Sequence, residues 1–229
     1  MRPSLADPVG YSRVNIMGTA SVMEAAREAA CSRIVVASSS SVYGNCPQAP
    51  FSETMDVSEP ISPYAATKRA CELMGYTHWH ATKMPTAMLR FFTVYGPGQR
   101  PDLAISRFIA LISRGEAITM YGNGATSRDY TYIDDIATGV IAAYDRIADY
   151  GYRVWNLGNS APVTLEAMIA TVERVVGKRA VIRHEPASIG DVERTFADLT
   201  RARAELGFIP SVPFEEGVAR QWAAVRQAL

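Results

Sequence analysis

The sequence of 229 residues predicts an α/β fold built on a parallel sheet, and three consecutive segments carry that prediction. Residues 33–38 (R-I-V-V-A-S) and 86–93 (T-A-M-L-R-F-F-T) are short, apolar and without alternation, which is typical of parallel strands buried on both faces. Residues 63–82, which lie between them, predict a helix. The order strand, helix, strand indicates a parallel sheet with helical crossovers.

The other elements follow from similar patterns. Apolar side chains recur at helical spacing in residues 8–30, and the proline-containing residues 45–62 predict an irregular loop. After about residue 97 the elements become short and mixed, which predicts a smaller lobe over the carboxyl ends of the main strands, where open α/β sheets bind ligands. Strands are expected there at residues 118–121, 129–133 and 154–157. Helices are expected at residues 105–114, 164–176 and 214–227, and Gly177 is expected to stop the second of these. Another helix is expected to begin after Asp134, as its cap, and to run to about residue 148. A further helix is expected to end before Gly207.

The composition argues against several classes of function. Lys plus Arg and Asp plus Glu both total 23, so the formal net charge is zero, and no basic block stands out. Neither nucleic acid nor an anionic membrane is therefore expected as a partner. The three cysteines are widely spaced, which argues against a disulfide framework or a zinc site and favours a reducing, cytoplasmic setting. No apolar run approaches the roughly 18 residues of a membrane span. With no paired cysteines, no bound metal ion is expected either.

Tyr64 and Lys68 form a Y-x-x-x-K pair on the expected helix 63–82. At a spacing of four residues, the two side chains share one face of the helix. A free tyrosine has a pKa near 10 and is a poor base at neutral pH, but a nearby lysine cation stabilises the phenolate and lowers that pKa. The pair suits acid–base chemistry between an alcohol and a ketone. By itself the motif is weak, since it also occurs by chance in many helices.

Further motifs accompany this pair in a set order. The stretch S-S-S-S-V-Y-G follows the first strand at residues 38–44, S-P-Y-A-A-T-K occupies 62–68, and L-R-F-F-T-V-Y-G-P occupies 89–97. Serines after a strand also serve simply as caps or turn residues. In this combination, however, the sequence resembles the extended short-chain dehydrogenase/reductases of the NAD-dependent epimerase/dehydratase family, and among them most closely the UDP-glucuronate 4-epimerases. The resemblance spans essentially the whole chain, because N-I-M-G-T at 15–19, R-D-Y-T-Y-I-D-D at 128–135 and the late G-D and A-D pairs also match.

The resemblance implies NAD as cofactor and a role for each matching residue. Tyr64 corresponds to the catalytic base, Lys68 to its electrostatic partner, and Ser39 to the catalytic hydroxyl that bonds the 4-hydroxyl of the sugar. Tyr64 and Lys68 also match cofactor contacts. The other positions that match the NAD site are Asn15, Ser38 and Phe91. The positions that match the nucleotide-sugar site are Ser40, Ser41, Thr93, Arg100, Arg128 and Asp191.

Two features bear on which reaction the family resemblance implies. Dehydratases of the family carry a glutamate before V/L-Y-G, whereas Ser41 stands there in this chain, which favours epimerisation. The segment G-P-G-Q-R-P-D at residues 96–102 resembles the UDP-glucuronate version of the family, and Arg100 is suited to gripping a carboxylate through two parallel hydrogen bonds. The expected reaction is the interconversion of UDP-glucuronate and UDP-galacturonate through transient oxidation at carbon 4. Arg100 as a solvated loop charge is the alternative.

The sequence departs from the family in one respect. Family members begin with a strand, a G-x-x-G-x-x-G loop and a helix that together hold the cofactor pyrophosphate, and this sequence contains no such loop. The expected fold is a Rossmann-like parallel sheet lacking its N-terminal βαβαβ half, on the order of 60–90 residues. Residues 1–96 would form the remaining part of the NAD-binding domain, to which later segments return, and residues 97–229 mainly the nucleotide-sugar-binding lobe. Residues 33–38 would then form an exposed edge strand.

Three alternatives to a UDP-glucuronate 4-epimerase follow from these observations. The chain could be a non-catalytic remnant that binds nucleotide sugar, since the adenosine half of NAD has no expected site. It could also be a nucleotide-sugar 4,6-dehydratase or a relative of the UDP-glucose 4-epimerases. Helices 8–30 and 63–82 resemble the pair through which family members form homodimers, so a homodimer is expected, although the same apolar stripes would suit core-facing helices.

Overall fold

The computed structural model describes residues 3–186 and 192–227, which form helices and short strands. A π-helical turn at Arg13–Met17 joins two of the helices. The α-helices are α1 (Pro3–Ala6), α2 (Pro8–Ser12), α3 (Gly18–Glu28), α4 (Pro63–Thr82), α5 (Ala104–Arg114), α6 (Ile133–Arg146), α7 (Leu165–Val176), α8 (Thr200–Leu206) and α9 (Phe214–Gln227). The strands are β1 (Ile34–Ser39), β2 (Thr86–Phe91), β3 (Thr93–Tyr95), β4 (Ala117–Tyr121), β5 (Ser127–Tyr132), β6 (Tyr152–Leu157), β7 (Pro162–Thr164) and β8 (Val181–Glu185).

The main sheet is parallel, with the strand order β1-β2-β6. Strand β2 lies in the middle, and five of its six residues are buried, as the apolar pattern predicts. Strand β1 is mostly half-buried, so the prediction of burial on both faces is wrong for it. The reason is that, within the described residues, β1 pairs only with β2, which also agrees with the expected edge position.

Two smaller sheets complete the strand arrangement. One has the order β3-β5-β7, with β3 and β5 parallel and β7 antiparallel to β5, and the other is the parallel pair β4-β8. Strands β7 and β8 were not expected from the sequence. The predicted strand 86–93 is in fact divided, because β2 ends at Phe91 and Thr93 begins β3, which pairs with β5 in a different sheet.

Three apolar clusters hold these elements together. One contains Trp155 and Leu157 of β6 and Leu89 of β2, all fully buried. Another lies in the later part of the chain, where α5, α7 and α9 pack against one another. The smallest joins α3, α4 and β2 through Met23, Cys71 and Met88, and so fastens α4 to the main sheet.

Most predicted helices are confirmed, and two differ in informative ways. The expected helix 8–30 is helical through Glu28 but includes the π-helical turn, and it ends before Ala30, which has a φ of 53°. Asp134 was predicted to cap α6, and this prediction is wrong. The helix begins at Ile133, so Tyr132 occupies the N-cap position. Helices 63–82 and 214–227 have the predicted bounds, and Thr164 caps α7, which stops at Gly177.

None of the described helices is both long and apolar enough to cross a membrane. In the same parts of the chain, no group of three or more His, Cys, Asp or Glu side chains is arranged to hold a metal ion.

Candidate active site

Helix α4 begins at a residue that places Tyr64 in its first turn. Ser62 is the N-cap, and its hydroxyl accepts a hydrogen bond from the backbone N–H of Ala65 at 3.2 Å. Pro63 follows at the first helical position, where its missing N–H costs nothing. The backbone N–H of Tyr64 donates to the hydroxyl of Ser4 at 3.2 Å. The start of the helix is therefore held from both sides.

Tyr64 and Lys68 face the carboxyl end of β1, as the sequence predicted. The Ser39 hydroxyl lies close enough to the Tyr64 phenol to lower its pKa. One helical turn further on, the Lys68 ammonium donates to the backbone carbonyl of Ala37 at 2.9 Å. Its nitrogen lies 5.9 Å from the centre of the Tyr64 ring. The structure thus brings the three expected catalytic residues, Ser39, Tyr64 and Lys68, to one place.

The pKa of Tyr64 differs in direction from the sequence-based expectation. Burial raises the pKa of the phenol above its ordinary value, and the hydrogen bond with Ser39 and the positive charge of Arg100 only partly oppose this rise. Burial also lowers the pKa of the Lys68 ammonium. The net lowering of the Tyr64 pKa expected beside Lys68 is not seen, because burial raises the pKa by more.

The serine run after β1 turns into a short 3₁₀ helix at Ser40–Tyr43. Ser39 caps this helix, and its oxygen accepts hydrogen bonds from both the backbone N–H and the hydroxyl of Ser41, at 3.2 and 2.9 Å. The hydroxyl proton of Ser39 is used in neither of these two hydrogen bonds. Ser40 is half-buried beside this turn, and Ser41 is buried.

Two of the three further positions expected in the NAD site have other partners in this structure. The hydroxyl of Ser38 is buried and donates to the carboxylate of Glu72 at 2.6 Å. The Asn15 side chain, in the π-helical turn, donates to the Thr67 hydroxyl at 2.9 Å. Phe91 ends β2 beside Ser39 in the strand register and is half-buried.

The residues expected to bind the nucleotide sugar lie in separate segments. Thr93 begins β3 and is paired in register with Tyr130 of β5, the strand that also carries Arg128. The Arg128 guanidinium donates to the backbone carbonyl of Ser127 at 2.9 Å. Asp191 lies outside the described residues.

Arg100 follows β3 on an exposed loop. Its guanidinium makes two hydrogen bonds to the carboxylate of Asp102, at 3.1 and 2.9 Å, and its side chain is 73% exposed. Its positive charge lowers the pKa of the Tyr64 phenol, although burial outweighs this effect.

A buried ion pair behind the catalytic residues was missed in the sequence. Glu72 is fully buried, and its carboxylate accepts two hydrogen bonds from Arg90 of β2, at 2.8 and 2.9 Å. Burial raises the pKa of Glu72, but the hydrogen bonds and charge of Arg90 outweigh this, so the pKa lies below its usual value. Arg90 also donates to the hydroxyl of Tyr43 at 3.0 Å. The only available signal was the position of Glu72, four residues beyond Lys68 on the same helix face.

Asp129 was also not singled out, although it lies within the R-D-Y motif. Its buried carboxylate accepts hydrogen bonds from the backbone N–H groups of Asn159, Ser160 and Ala197, at 2.7, 3.0 and 2.9 Å. These bonds tie β5 to the loop after β6 and to the later segment that contains Ala197. Asp129 therefore holds these three segments together in the interior, and does not face an open surface.

The chain matches the family described as GDP-mannose 4,6 dehydratase over residues 1–221. A UDP-glucuronate 4-epimerase of Thermodesulfobacterium geofontis is 40% identical over 222 residues, which cover 96% of this chain and 67% of the relative. UDP-glucuronate 4-epimerase 5 of Arabidopsis thaliana is 37% identical over 236 residues, which cover 96% of this chain and 54% of the relative. The chain thus spans about two thirds or less of the length of these two relatives.

Two solved structures have the same fold. MoeE5, in complex with UDP-glucuronic acid and NAD, matches with a TM-score of 0.93 at 38% identity, over 99% of this chain and 76% of MoeE5. The UDP-glucuronic acid 4-epimerase from Bacillus cereus, in complex with UDP-glucuronic acid and NAD, matches with a TM-score of 0.87 at 32% identity, over 94% of this chain and 68% of the epimerase. The main sheet is therefore Rossmann-like. With a family match over most of its length, the chain belongs to the NAD-dependent epimerase/dehydratase family of extended short-chain dehydrogenase/reductases.

Proposed function

We propose that this chain acts in the NAD-dependent 4-epimerisation of a UDP-sugar, with UDP-glucuronate as the substrate. The observation that carries the proposal is the convergence of Tyr64, Lys68 and Ser39 at the carboxyl end of β1, where the Lys68 ammonium lies 5.9 Å from the centre of the Tyr64 ring and the Ser39 hydroxyl lowers the pKa of the phenol. A phenol and a hydroxyl in contact there, with the Lys68 ammonium one helical turn away, are the groups needed to move a proton to and from a sugar hydroxyl. Relatives with 4-epimerase names support the same reaction class.

The residues present fit the nicotinamide end of an NAD site. An ammonium has three donors, and the Ala37 carbonyl takes one from Lys68, which leaves donors for the hydroxyls of the adjacent ribose. Phe91 offers a half-buried apolar wall at the end of β2. When bound, NAD would supply a reversible acceptor for the hydride at carbon 4 of the sugar. Ser38 and Asn15, whose side chains are engaged within the protein, are proposed to support this site without donating to the cofactor.

Tyr64 is the proposed base and acid of the reaction. Its phenolate would take the proton from the 4-hydroxyl as carbon 4 is oxidised, and would return that proton when carbon 4 is reduced on its other face. Ser39 would hold the same oxygen, because its hydroxyl is already oriented by two hydrogen bonds from Ser41. Since burial raises the pKa of Tyr64, positive charge near the phenol would be needed to make it an effective base at neutral pH.

Arg100, Thr93 and Ser40 are proposed to bind the carboxylate of the sugar. Oxidation at carbon 4 produces a ketone β to that carboxylate, an arrangement prone to loss of carbon dioxide. Hydrogen bonds that hold the carboxylate in the plane of the ring would disfavour this loss. Arg100 would have to exchange Asp102 for the substrate, and both side chains are exposed enough to do so. Arg128 and Asp191 are proposed to contact the diphosphate and the ribose of the nucleotide.

Epimerisation is favoured over dehydration by the side chains beside the catalytic pair. Elimination of water needs an additional acid, and Ser40 and Ser41 stand where dehydratases carry one. Glu72 is the buried carboxylate nearest along α4, and its two oxygens are bonded to Arg90 and Ser38. It is therefore not available as that acid.

The same proposal covers the organisation of the protein. Residues 1–96, with the later strand β6, would support the cofactor side, and residues 97–229 would mainly support the nucleotide sugar. The chain would form homodimers through residues 8–30 and 63–82, where α3 and α4 expose Val22, Leu73 and Tyr76 at 61%, 55% and 49%. Apolar side chains of this size on neighbouring helices suit a subunit interface.

The proposal is tested first by calorimetric titration of NAD into the purified chain, with UDP-glucuronate present. We expect saturable binding, and NAD-dependent formation of UDP-galacturonate that is lost in Tyr64→Phe. A folded chain that binds UDP but neither binds NAD nor turns over contradicts the proposal and indicates a sugar-nucleotide-binding protein. Release of a keto-sugar or of carbon dioxide indicates instead a dehydratase or a decarboxylating relative.

A further inference from the structure

Three residues on one face of α4 contact three consecutive residues of β1. Tyr64, Lys68 and Glu72 lie one helical turn apart, and their side chains reach Ser39, Ala37 and Ser38. The first two contacts belong to the catalytic site described above. The third is the hydrogen bond of 2.6 Å from the Ser38 hydroxyl to the Glu72 carboxylate, and it has no part in the proposed chemistry.

Glu72 also joins α4 to the neighbouring strand β2. Arg90 meets its carboxylate through two parallel hydrogen bonds, and the two side chains are 3% and 0% exposed. A two-point contact of this kind specifies both the distance and the orientation of the planar groups. The carboxylate therefore bonds to two adjacent strands at once, at the paired residues Ser38 and Arg90 of the strand register.

A buried ion pair is weak evidence for stability by itself. Removing two charges from water is costly, and apolar side chains of similar volume are often equally good or better in its place. Such pairs are better suited to selecting one arrangement among several of similar energy. Here the arrangement to be selected is the register of α4 along β1, because sliding by one residue would carry Tyr64 away from Ser39.

We propose that Glu72 and Arg90 are positioning residues, which hold α4 in the register that keeps the Tyr64 hydroxyl against Ser39. This inference rests on the proposed function. Glu72 acts through Ser38 on β1 and through Arg90 on β2, and neither Glu72 nor Arg90 touches the reacting atoms.

Two more partners face Glu72: Arg69 bonds its carboxylate from the same helix at 3.0 Å, and the Tyr152 hydroxyl of β6 donates to its backbone carbonyl at 2.8 Å.

The first test replaces the pair by apolar side chains, in the double variant Glu72→Leu with Arg90→Met. The variant removes both charges together, so no unpaired charge is left buried. We expect a folded protein whose kcat falls about 10- to 100-fold, because a small misplacement of a catalytic group has effects of this order. The KM for the UDP-sugar should stay within about twofold, since the proposed charged contacts with the substrate, Arg100 and Arg128, lie on other segments.

The matched control is the double variant Glu205→Leu with Arg153→Met. Glu205 of α8 and Arg153 of β6 form another paired carboxylate and guanidinium on the same sheet, and Glu205 also accepts a hydrogen bond of 2.7 Å from the Trp155 indole, so the pair joins β6 to α8. We expect its kcat to stay within about twofold of the wild-type value. A folded Glu72→Leu/Arg90→Met protein with wild-type kcat would overturn the proposal and leave the pair as a stabilising contact only.

The second test does not depend on turnover or on the folding of the double variant. Ser38→Ala removes one hydroxyl, breaks the link between Glu72 and β1, and leaves the ion pair in place. In the protein with ¹³C-labelled tyrosine rings, the resonance of Tyr64 is identified by its loss in Tyr64→Phe. We expect Ser38→Ala to shift this resonance, while those of Tyr95 and Tyr130 in the other apolar cluster stay unchanged.

The two tests separate the positioning role from the proposed function. An unmoved Tyr64 resonance in Ser38→Ala overturns the positioning role, whether or not the wild-type chain is active. A shifted resonance together with an inactive wild-type chain supports the positioning role and contradicts the proposed function. A shifted resonance, an active wild type and a kcat loss with unchanged KM support both.

Discussion

The Lys68 ammonium lies 5.9 Å from the centre of the Tyr64 ring, and its hydrogen bond of 2.9 Å goes to the backbone carbonyl of Ala37. The Lys68 side chain is therefore held by a strand of the sheet and not by the phenol. At this distance Lys68 would act on Tyr64 through its charge, whereas the nearby Ser39 hydroxyl lowers the pKa of the phenol. The two partners of the phenol thus make separable contributions, which substitutions can distinguish by their effects on pH dependence and on rate.

Lys68→Met should shift the pH dependence of epimerisation. A nearby cation favours the phenolate, so its removal raises the pKa of Tyr64 further, beyond the rise that burial already causes. The protonated phenol is not a base, and the rising limb of kcat/KM should therefore move to higher pH. Measurement of kcat/KM from acid to alkaline pH tests this, with Lys68→Arg as the control that keeps the charge. An unchanged pH profile in an active Lys68→Met protein would contradict the role of the charge.

Tyr64→Phe should lower kcat by about 10²- to 10⁴-fold, the usual range for loss of a general acid–base group. The apolar ring is kept, so the free energy of unfolding should change little and UDP binding should persist. Ser39→Ala should lower kcat as well, and Ser41→Ala by less, because Ser41 bonds to Ser39 and would affect the phenol through it. Single-turnover rates of the three variants, measured with saturating NAD, show which substitution lowers the rate most. Equal losses in Ser39→Ala and Ser41→Ala would show that the orientation from Ser41 is indispensable.

Arg100 and Asp102 should affect the choice of substrate in opposite directions. Arg100→Lys removes the planar, two-point contact with a carboxylate, so the preference for UDP-glucuronate over UDP-glucose should fall about 10-fold or more. Asp102→Asn frees the guanidinium from its partner in the loop and should leave that preference unchanged or increase it. The ratio of kcat/KM for the two sugars measures the effect. If neither substitution alters this ratio, Arg100 does not bind the sugar carboxylate and is a solvated charge on the loop.

Local rules account for what the sequence predicted well. Ser62 and Pro63 specify where α4 begins, and the four-residue spacing of Tyr64 and Lys68 specifies which side chains share a face. The family resemblance then identified the strand that this face meets. These features depend on residues close together in the chain, so that pattern and capping chemistry suffice.

Long-range pairing explains what the sequence could not predict. Glu72 meets Arg90 and Ser38, which are 18 and 34 residues away along the chain. Only the register between β1 and β2 brings those two partners side by side. The partial exposure of β1 had the same kind of cause, because burial depends on which strands lie beside it and not on its own apolar residues.

Glu72→Gln should lower stability most at neutral pH. Burial raises the pKa of Glu72, but Arg90 and Ser38 lower it by more, so the folded-state pKa lies below the ordinary value of 4.5. The stabilisation from the ionised carboxylate is therefore complete above about pH 4.5 and is lost as the pH falls through the lower, folded-state pKa. Removing one partner of a buried pair costs about 3–5 kcal/mol, since Arg90 keeps its charge.

The measurement is the free energy of unfolding of the wild-type and Glu72→Gln proteins by urea titration at a series of pH values. The difference between them should be largest at pH 7 and should shrink as the pH falls below about 4.5, because the wild-type carboxyl becomes neutral like the amide. Glu116→Gln is the control, because Glu116 pairs with Arg114 at the surface, where both side chains are about half exposed. A difference between wild type and Glu72→Gln that is constant from pH 7 to pH 3 would mean that the Glu72 carboxyl is not held ionised by Arg90.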